Sequence, residues 1–293
     1  MADTSGQADI RNIKIDDLVK GFQDEEFVFR NFISVVSTSA REIRWVQKTA
    51  GVIDTPDTTA ITASQIANVS HLTKPYVVSQ SWTRNTSYIR KFMAETEWIS
   101  EEDIKDNMVQ LWATTIRDTT RAVIKQVNDH IYNVLTENQS PVNILTTAST
   151  AAWDTASYSG VDIIKDINTG IRKIRQNNYE PTHLFLSPKD FDSMISWLIS
   201  SKGSSIPAFA SNKLETGVVM EILGLRVVVS NSVAADSACI AAPQRAVTMH
   251  EFMSISTAEI IEPLIGRKYR VASEVIALLT DPSAVHLTTN TQA

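Results

Sequence analysis

The sequence predicts an α+β protein, and three observations lead to this prediction. A long amphipathic helical pattern covers residues 100–138, and strand-like and helix-like segments alternate across about 139–249. Strand-like runs dominate residues 253–289. Because strands and helices alternate in one region and are segregated elsewhere, neither an all-helical nor an all-strand class fits.

Composition excludes several classes of protein. The chain has 293 residues, of which 43% are hydrophobic and 20% charged, so it is not disordered, collagenous or a coiled-coil rod. The 27 basic residues are outnumbered by 33 acidic ones, which argues against tight nonspecific binding of nucleic acid. No apolar run is long enough to span a membrane, and Met1–Gly21 lacks the layout of a secretory signal. We expect cytoplasmic origin and no membrane partner.

Motifs that carry catalysis do not stand out in the chain. The nine glycines form no dinucleotide fingerprint or phosphate loop, and no serine lies in a nucleophile elbow. The five histidines are scattered, without the spacing of metal ligands. The single cysteine, Cys239, is expected to be a small buried side chain in a strand. We therefore expect no catalytic residue, no metal site and no cofactor. An α/β enzyme with a dispersed site stays open as an alternative.

The N-terminal part predicts an arm followed by two strands. Short amphipathic pieces at Ile13–Phe22 and Glu25–Ser34 define the arm, and acids around Glu25 suit a helix start. From Arg41 an alternating pattern predicts a strand with Ile43 and Trp45 on one face. The alternation over 76–82 predicts its return strand.

The segment between these two strands has little apolar material of its own. Thr49–Leu72 is rich in threonine, serine and alanine. An isolated two-stranded hairpin is marginally stable at best in water. Support must therefore come either from the rest of the chain or from another copy, and the sequence leaves both open.

A long helix is predicted to begin at Ser100. Ser100 and Asp103 make a capping pattern with a negatively charged first turn. Apolar or small positions then recur every three to five residues, at Ile104, Met108, Leu111, Thr115, Thr119, Ala122, Val127, Ile131 and Leu135. With a stop at Asn138–Pro141, the helix would have almost forty residues and a length of about 55 Å. We expect it to lie across a sheet.

An α/β subdomain is predicted over about Gln139–Met249. Its elements are a helix at Asp162–Asn178, a strand at His183–Leu186, a Ser187-capped helix to about Ser200, a turn and strand at Ile222–Ser230, and a strand at Ala238–Ala242. Three later runs, Met253–Ile261, Arg267–Leu279 and Val285–Thr289, predict an antiparallel meander. The companions we expect for this meander are the strands of Arg41–Trp82 and the long helix.

Four segments carry a resemblance to a known family. Lys74–Arg84 is similar to a strand that leads into a short helix before a long spine helix. Pro181–Phe191 is similar to a strand followed by a Ser-Pro helix start, Ile222–Ser230 to a strand with a Gly turn, and Lys268–Thr289 to closing strands. In this order they resemble the major capsid proteins of tailed double-stranded DNA viruses, which have the Hong Kong 97-type capsid fold.

The resemblance implies a division of the chain into named parts. They are an N-terminal arm (1–30), an extended β-hairpin loop with its legs (31–83), a periphery domain with the spine helix (84–138), an inserted α/β axial domain (139–250), and the closing strands of the periphery β-sheet (251–293).

The resemblance also implies a function. Copies would self-assemble through pentamers and hexamers into an icosahedral shell around a double-stranded DNA genome, in the host cytoplasm. Implied partners are a portal, a separate scaffold or decoration protein, and packaged DNA held by weak nonspecific contact. The arm begins at Met1 without the long scaffolding segment of many relatives, so we expect a separate scaffold or none, and no protease-cleaved maturation. An encapsulin-type nanocompartment shell shares this fold and stays open as an alternative.

Two sets of charged residues are candidates for contacts in such a shell. Candidates for contact between subunits are Lys48, Asp54, Asp57, Lys74, Lys202, Lys213 and Glu215. Candidates for facing DNA are Lys165, Arg172, Lys173 and Arg175 on the second helix. The alternative for each is a solvated surface charge, which contributes about 0–1 kcal/mol.

Overall fold

The computed structural model describes residues 27–48, 71, 82–100, 109–137, 144–155, 161–198, 221–263 and 265–293. The chain forms two compact units. Unit 1 comprises Met1–Ile43, Ser87–Ile131 and Met249–Leu278, and unit 2 comprises Arg44–Thr86, Tyr132–Thr248 and Leu279–Ala293.

Strands are the more numerous elements of the described residues. They are β1 (Ser34–Ser37), β2 (Glu42–Lys48), β3 (Trp82–Tyr88), β4 (Arg90–Glu95), β5 (Ile99–Ser100), β6 (Leu145–Ala148), β7 (His183–Leu186), β8 (Glu221–Ile222), β9 (Leu225–Val229), β10 (Ser237–Ala241), β11 (Val247–Glu262), β12 (Gly266–Leu279) and β13 (Val285–Thr289). The helices are α1 (Val109–Leu135), α2 (Ile163–Gln176), α3 (Pro188–Trp197) and α4 (Pro243–Ala246), with a 3₁₀ turn at Pro282–Ala284.

Unit 1 is built on a five-stranded sheet in the order β1-β11-β12-β4, with β5 also paired to β12. Only residues 263–265 separate β11 from β12, so these neighbouring strands form an antiparallel hairpin. Helix α1 packs on this sheet through His130, whose Nε2 accepts a hydrogen bond from the Ala277 N–H at 3.3 Å. The His130 ring also lies 5.7 Å from the ring of Phe92 on β4.

The long helix is confirmed, but its start and its buried stripe differ from the prediction. Ser100, the predicted start, lies in strand β5 and pairs with Gly266 of β12. Within the described residues, α1 begins at Val109 and has 27 residues. This corresponds to about 40 Å. Residues 101–108 lie outside the described part of the chain.

The face of α1 that is buried is shifted by one position in the helix's first half. The buried apolar positions of α1 are Ile116, Val123, Ile124, Val127, Ile131, Tyr132 and Leu135. Thr115 and Thr119 are half-buried and Ala122 is exposed, contrary to the prediction. The shift buries Ile116 and Val123 in place of Thr115 and Ala122, and branched aliphatic side chains gain more from burial than threonine or alanine do. Thr120 is buried on the same face, where its hydroxyl donates to the Ile116 carbonyl.

Unit 2 is built on a six-stranded mixed sheet in the order β6-β13-β10-β7-β9-β8. Strand β10 pairs antiparallel with β13 and β7, whereas β6 and β13, and β7 and β9, are parallel pairs. Its core combines α2, α3 and the sheet around two tryptophans, Trp153 and Trp197, which are at most 2% exposed. The predicted α/β character of this region is confirmed.

Capping and turn residues in the sequence correctly predicted where several elements of unit 2 begin. The Asp162 side chain caps α2, and the Ser187 Oγ accepts from the Asp190 N–H at 3.2 Å at the start of α3. The predicted turn before β9 contains Leu223 and Gly224, both with positive φ. This is the backbone that a two-residue hairpin turn requires.

Three predicted elements are wrong. Residues 27–33 form turns and Ser34–Ser37 is strand β1, so the expected helix at Glu25–Ser34 is absent from its described part. The short helix expected before the spine helix is replaced, over residues 82–100, by strands β3, β4 and β5. In the first segment only Ser34 lies in a strand, β1, which pairs with β11, whereas in the second β4 and β5 pair with β12. Such long-range pairing overrides local helix signals.

The third error concerns the C-terminal strands. β11 and β12 form the expected hairpin, but their sheet neighbours are β1, β4 and β5, while β2 and β3 form a separate two-stranded sheet. Strand β13 leaves the meander and joins the unit 2 sheet between β6 and β10. The 3₁₀ turn at Pro282–Ala284, capped by the Asp281 side chain, separates it from β12.

Candidate assembly surfaces

The two-stranded sheet β2–β3 exposes several apolar side chains among polar ones. Along β2, Ile43 is buried while Val46 is 47% exposed, which confirms the predicted alternation. Along β3, exposed and half-buried residues also alternate, beginning with Trp82 at 49% exposure. The Gln47 Nε2 donates to the Leu279 carbonyl at 3.0 Å and anchors β2 within unit 2. Apolar surface is therefore presented on a ribbon of only two strands.

Most candidates for contact between subunits fall outside the described residues. Lys48 ends β2, and its side chain is not described. The others, Asp54, Asp57, Lys74, Lys202, Lys213 and Glu215, all lie in segments outside the described part of the chain.

The four basic candidates on α2 have different surroundings. Lys165 and Arg172 are exposed. Lys173 Nζ donates to Thr147 Oγ1 at 2.8 Å and to the Thr146 carbonyl at 3.2 Å. The sequence pattern gave no sign of this distinction, because all four residues have the same charge.

Arg175, the fourth candidate, is paired within its own unit. Its Nε donates to Glu180 Oε2 at 3.2 Å. This hydrogen bond lowers the pKa of the Glu180 carboxyl and raises that of the Arg175 guanidinium. Half of the basic face is thus already engaged inside unit 2.

A buried polar chain lies beneath α2. Lys173 donates to Thr147 Oγ1, and that oxygen lies 2.9 Å from Nε2 of His286 on β13. The Thr147 hydroxyl therefore contacts both the lysine and the ring, since it has one proton and two acceptor lone pairs. Burial, aided by the Lys173 charge, lowers the pKa of His286 to about 4.

The closest packing in this region is at a glycine of α2. A Cβ at Gly170 would lie 2.6 Å from Ile240 Cδ1 and 2.7 Å from His286 Nδ1. Helix α2 therefore rests directly on β10 and β13, and His286 lies beneath its middle turn.

The unit 1 sheet carries charge clusters that sequence analysis missed. Glu95 on β4 accepts from Lys268 Nζ at 3.0 Å and also from Arg270, and these hydrogen bonds lower its pKa. Both cations lie on β12, which pairs with β4 at Arg270 and Glu95. The available signal was the two-residue spacing of Lys268 and Arg270, which puts both on one face of β12, but only the pairing with β4 shows which charge they meet.

A second cluster surrounds Glu274, which is 5% exposed. Arg41 Nη2 lies 3.1 Å from one carboxylate oxygen, and Lys91 Nζ lies 3.8 Å from the other. The Arg41 guanidinium also stacks over Phe252, 4.6 Å from the ring centroid. Arg41 and Lys91 pair with the buried Glu274 carboxylate, which would be costly to leave without a partner.

Within the described residues, no group of three or more His, Cys, Asp or Glu side chains has the geometry of a metal site, and no helix is long and apolar enough to cross a membrane. Cys239 is fully buried, which raises the pKa of its thiol.

An open groove of about 460 Å³ in unit 1 is lined by Ser37, Thr38, Ser39, Glu251, Phe252 and Ser254. Its carboxylate, Glu251, is held by Arg30 at 3.0 Å.

Comparison with known proteins defines the class. The structure is similar to a virus-like particle from Pyrococcus furiosus, with a TM-score of 0.61 and 9% identity over 94% of this chain and 97% of that chain. It is similar to the mature capsid of bacteriophage PhiM1, with a TM-score of 0.61 and 15% identity over 89% of this chain and 86% of that chain. It is also similar to a structure of Microbacterium phage Oxtober96, with a TM-score of 0.62 and 12% identity over 89% of this chain and 90% of that chain. The fold is thus the predicted Hong Kong 97-type capsid fold.

Family membership follows from the sequence itself. Residues 84–287, well over half of the chain, match the family described as phage capsid protein. The chain belongs to this family and is a structural protein of the viral capsid. A search of curated proteins found no match.

Proposed function

We propose that copies of this chain self-assemble through pentamers and hexamers into an icosahedral shell that encloses a double-stranded DNA genome. The observation that carries the proposal is the β2–β3 ribbon, which holds Val46 and Trp82 about half exposed. A two-stranded sheet is marginally stable by itself. Within a shell, a neighbouring copy covers such a ribbon.

The parts of the chain are proposed to divide this work. Residues 1–30 are the arm, 31–83 the extended loop and its legs, 84–138 the spine helix and its surroundings, and 139–250 the axial domain. Residues 251–293 supply the closing strands, with the refinement that β13 completes the axial sheet. Each contact can be weak, because a closed shell multiplies contacts through effective concentration.

The charged candidates keep their proposed roles, with different support. Lys48, Asp54, Asp57, Lys74, Lys202, Lys213 and Glu215 are proposed to contact neighbouring subunits. Lys165 and Arg172 are the better supported DNA-facing residues because they are exposed. Lys173 and Arg175 are weaker candidates, since both already bind groups of unit 2.

Further partners follow from the same proposal. A portal, a separate scaffold or decoration protein, and packaged DNA would contact the shell, which would assemble in the host cytoplasm. The chain would perform no chemical step. Its function would consist of interfaces alone.

A nanocompartment shell is the second candidate. The observation that favours it is the similarity to the Pyrococcus furiosus virus-like particle, which covers 94% of this chain. The contents of the shell distinguish the two candidates, because a capsid encloses a genome and a nanocompartment encloses cargo protein.

Electron microscopy of the purified chain, combined with the ratio of absorbance at 260 and 280 nm, tests the proposal. We expect closed icosahedral particles, with DNA in particles recovered from infected or induced cells. Cargo protein in place of DNA would favour the nanocompartment. Small compact oligomers under all assembly conditions would overturn both shell functions. An α/β enzyme with a dispersed site would then be the remaining hypothesis.

Deletion of the loop tests the role of the ribbon separately. Removal of Ala50–Ser70, with a short Gly-Ser linker in its place, should leave a folded and soluble subunit that does not assemble. Circular dichroism and thermal unfolding provide the folding control. Closed shells formed by the deletion variant would contradict the proposed role of the loop.

A further inference from the structure

The segment that follows β13 is polar and yet is fixed to unit 2. Thr291 is fully buried, whereas Asn290 and Ala293 on either side of it are exposed. A segment with so little apolar surface stays ordered only where specific contacts hold it. We call residues 290–293 the latch.

Residues 149–153 hold the first half of the latch. The Trp153 N–H donates to the Thr291 carbonyl at 2.7 Å. The Ser149 Oγ lies 2.9 Å from the Asn290 carbonyl oxygen. These contacts involve the backbone of the latch, so they depend on its path and not on its side chains.

Two carboxylates hold the second half of the latch. The Gln292 N–H donates to Asp236 Oδ1 at 2.8 Å, and the Ala293 N–H donates to Asp154 Oδ1 at 2.8 Å. The other oxygen of Asp154 lies 2.8 Å from Lys189 Nζ on α3. Its hydrogen bonds with Lys189 and with the latch lower the pKa of the Asp154 carboxyl. The latch and helix α3 thus share one carboxylate.

The latch extends the strand that completes the unit 2 sheet. β13 lies between β6 and β10, and among the described strands β6 pairs with β13 alone. The last residue of β13, Thr289, pairs with Ala148 on one side and with Ser237 on the other. Loss of the latch contacts would leave this end of β13 free to fray, and β6 depends on the same strand for its place in the sheet.

Docking of the latch is close to energetic balance. The net gain from one hydrogen bond is similar in size to the conformational entropy lost when one residue is fixed. The latch makes about one hydrogen bond for each residue that it fixes. The Thr291 Oγ1 is buried without a hydrogen-bond partner among the described residues, which reduces the gain. Such a segment opens locally at a lower cost than the core beneath it.

We propose that the latch opens and closes as a local unit, and that a subunit joins a shell only when its latch is closed. This inference rests on the proposed function. Closure holds residues 149–154, α3 and Asp236 in one arrangement. Identical contacts repeated through a shell favour surfaces that are ordered before they meet. An open latch therefore keeps a subunit out of the shell.

A thiol in the latch tests its local opening in dissociated subunits. Thr291→Cys keeps a small side chain at the buried position. Cys239 on the neighbouring strand β10 is also fully buried and reports opening of the core. We expect a maleimide to label the introduced thiol at least about tenfold faster than Cys239. Equal rates would show that the latch opens only together with the core and would overturn the proposal.

A charge at the buried position tests whether closure is required for assembly. Thr291→Lys disfavours the closed latch, because an unpaired charge is costly to bury. We expect the threshold concentration for assembly, measured by light scattering and electron microscopy, to rise at least about tenfold. The matched control is Ala293→Lys, which adds the same charge at an exposed position of the latch and should leave the threshold unchanged. An unchanged threshold in Thr291→Lys, or an equal rise in the control, would overturn the proposal.

A second variant separates the latch from a general loss of stability. Leu225→Ala removes a buried side chain from β9, which is separated from β13 by β10 and β7. We expect it to lower the melting temperature at least as much as Thr291→Lys does, without raising the assembly threshold. An equal rise would mean that assembly follows the stability of unit 2 and would overturn the latch alone. If the unsubstituted chain formed no shells, the proposed function would be refuted together with the requirement for closure.

Discussion

Acidification should destabilise unit 2 through His286, and the size of the effect follows from its surroundings. The ring is fully buried, and its Nε2 lies 2.9 Å from the Thr147 hydroxyl, which accepts a hydrogen bond from Lys173. Burial and the nearby lysine charge lower the pKa of His286 to about 4, from about 6.5 in an unfolded chain. The folded subunit therefore keeps this ring neutral under mildly acidic conditions.

The sign of the effect follows from proton binding. As the pH falls below 6.5, the unfolded chain takes up a proton that the folded subunit does not, so the free energy of unfolding declines until the pH reaches about 4. Between pH 7 and pH 5 the loss is about 2 kcal/mol for one such histidine, and below pH 4 it levels off near 3 kcal/mol. This contribution is fully present above pH 7.

Urea unfolding of dissociated subunits at pH 7, 6 and 5 measures this slope. We expect His286→Gln, which cannot titrate, to reduce the loss between pH 7 and pH 5 by about 2 kcal/mol relative to the unsubstituted chain. The control is His71→Gln, the same substitution at an exposed histidine. An unchanged slope in His286→Gln would refute the reasoning, as would an NMR titration of His286 with a midpoint near 6.5.

Gly266→Ala tests the packing of unit 1 and Asp166→Ala that of unit 2 by thermal unfolding, with Gly224→Ala as the control for the first. Gly266→Ala would place a Cβ 2.2 Å from the Ile99 backbone oxygen, which cannot move aside as a flexible side chain can, and we expect a loss of about 3 kcal/mol. Gly224→Ala, whose Cβ meets open space, should cost only the positive-φ strain of about 1–2 kcal/mol, and equal losses in the two variants would argue against a clash. Asp166→Ala removes the acceptor of the Trp153 indole N–H and should cost about 1–3 kcal/mol. Unchanged stability there would mean that Asp166 is not a structural acceptor.

Local patterns were sufficient to predict the elements whose ends are defined by neighbouring residues. Asp162 and Ser187 cap α2 and α3 as predicted, because each cap is formed with a residue three positions away. The alternation in β2 likewise predicted which side, that of Ile43, is buried. Such signals involve only a few consecutive residues, so the sequence alone contains them.

The charge clusters of the candidate surfaces could not be predicted in this way. Glu95 and Arg270 are 175 positions apart, and they meet only because β4 pairs with β12 in one register. A shift of one residue would have moved each side chain to the other face of the sheet. The engaged state of Lys173, which distinguishes it from Lys165, also depends on a contact with β6.

The sequence by itself determined the α+β class, the long helix, the capped helices of unit 2 and the resemblance to viral capsid proteins, because these rest on periodicity, local capping and the order of segments. Tertiary structure decided that β13 joins the sheet of unit 2, that residues 82–100 contain strands β3, β4 and β5, and that Ile261 and Ile265 are exposed. The physical reason is that strand pairing and burial are long-range. A strand with one pattern can be completed by several partners, and the packing of the whole chain selects among them.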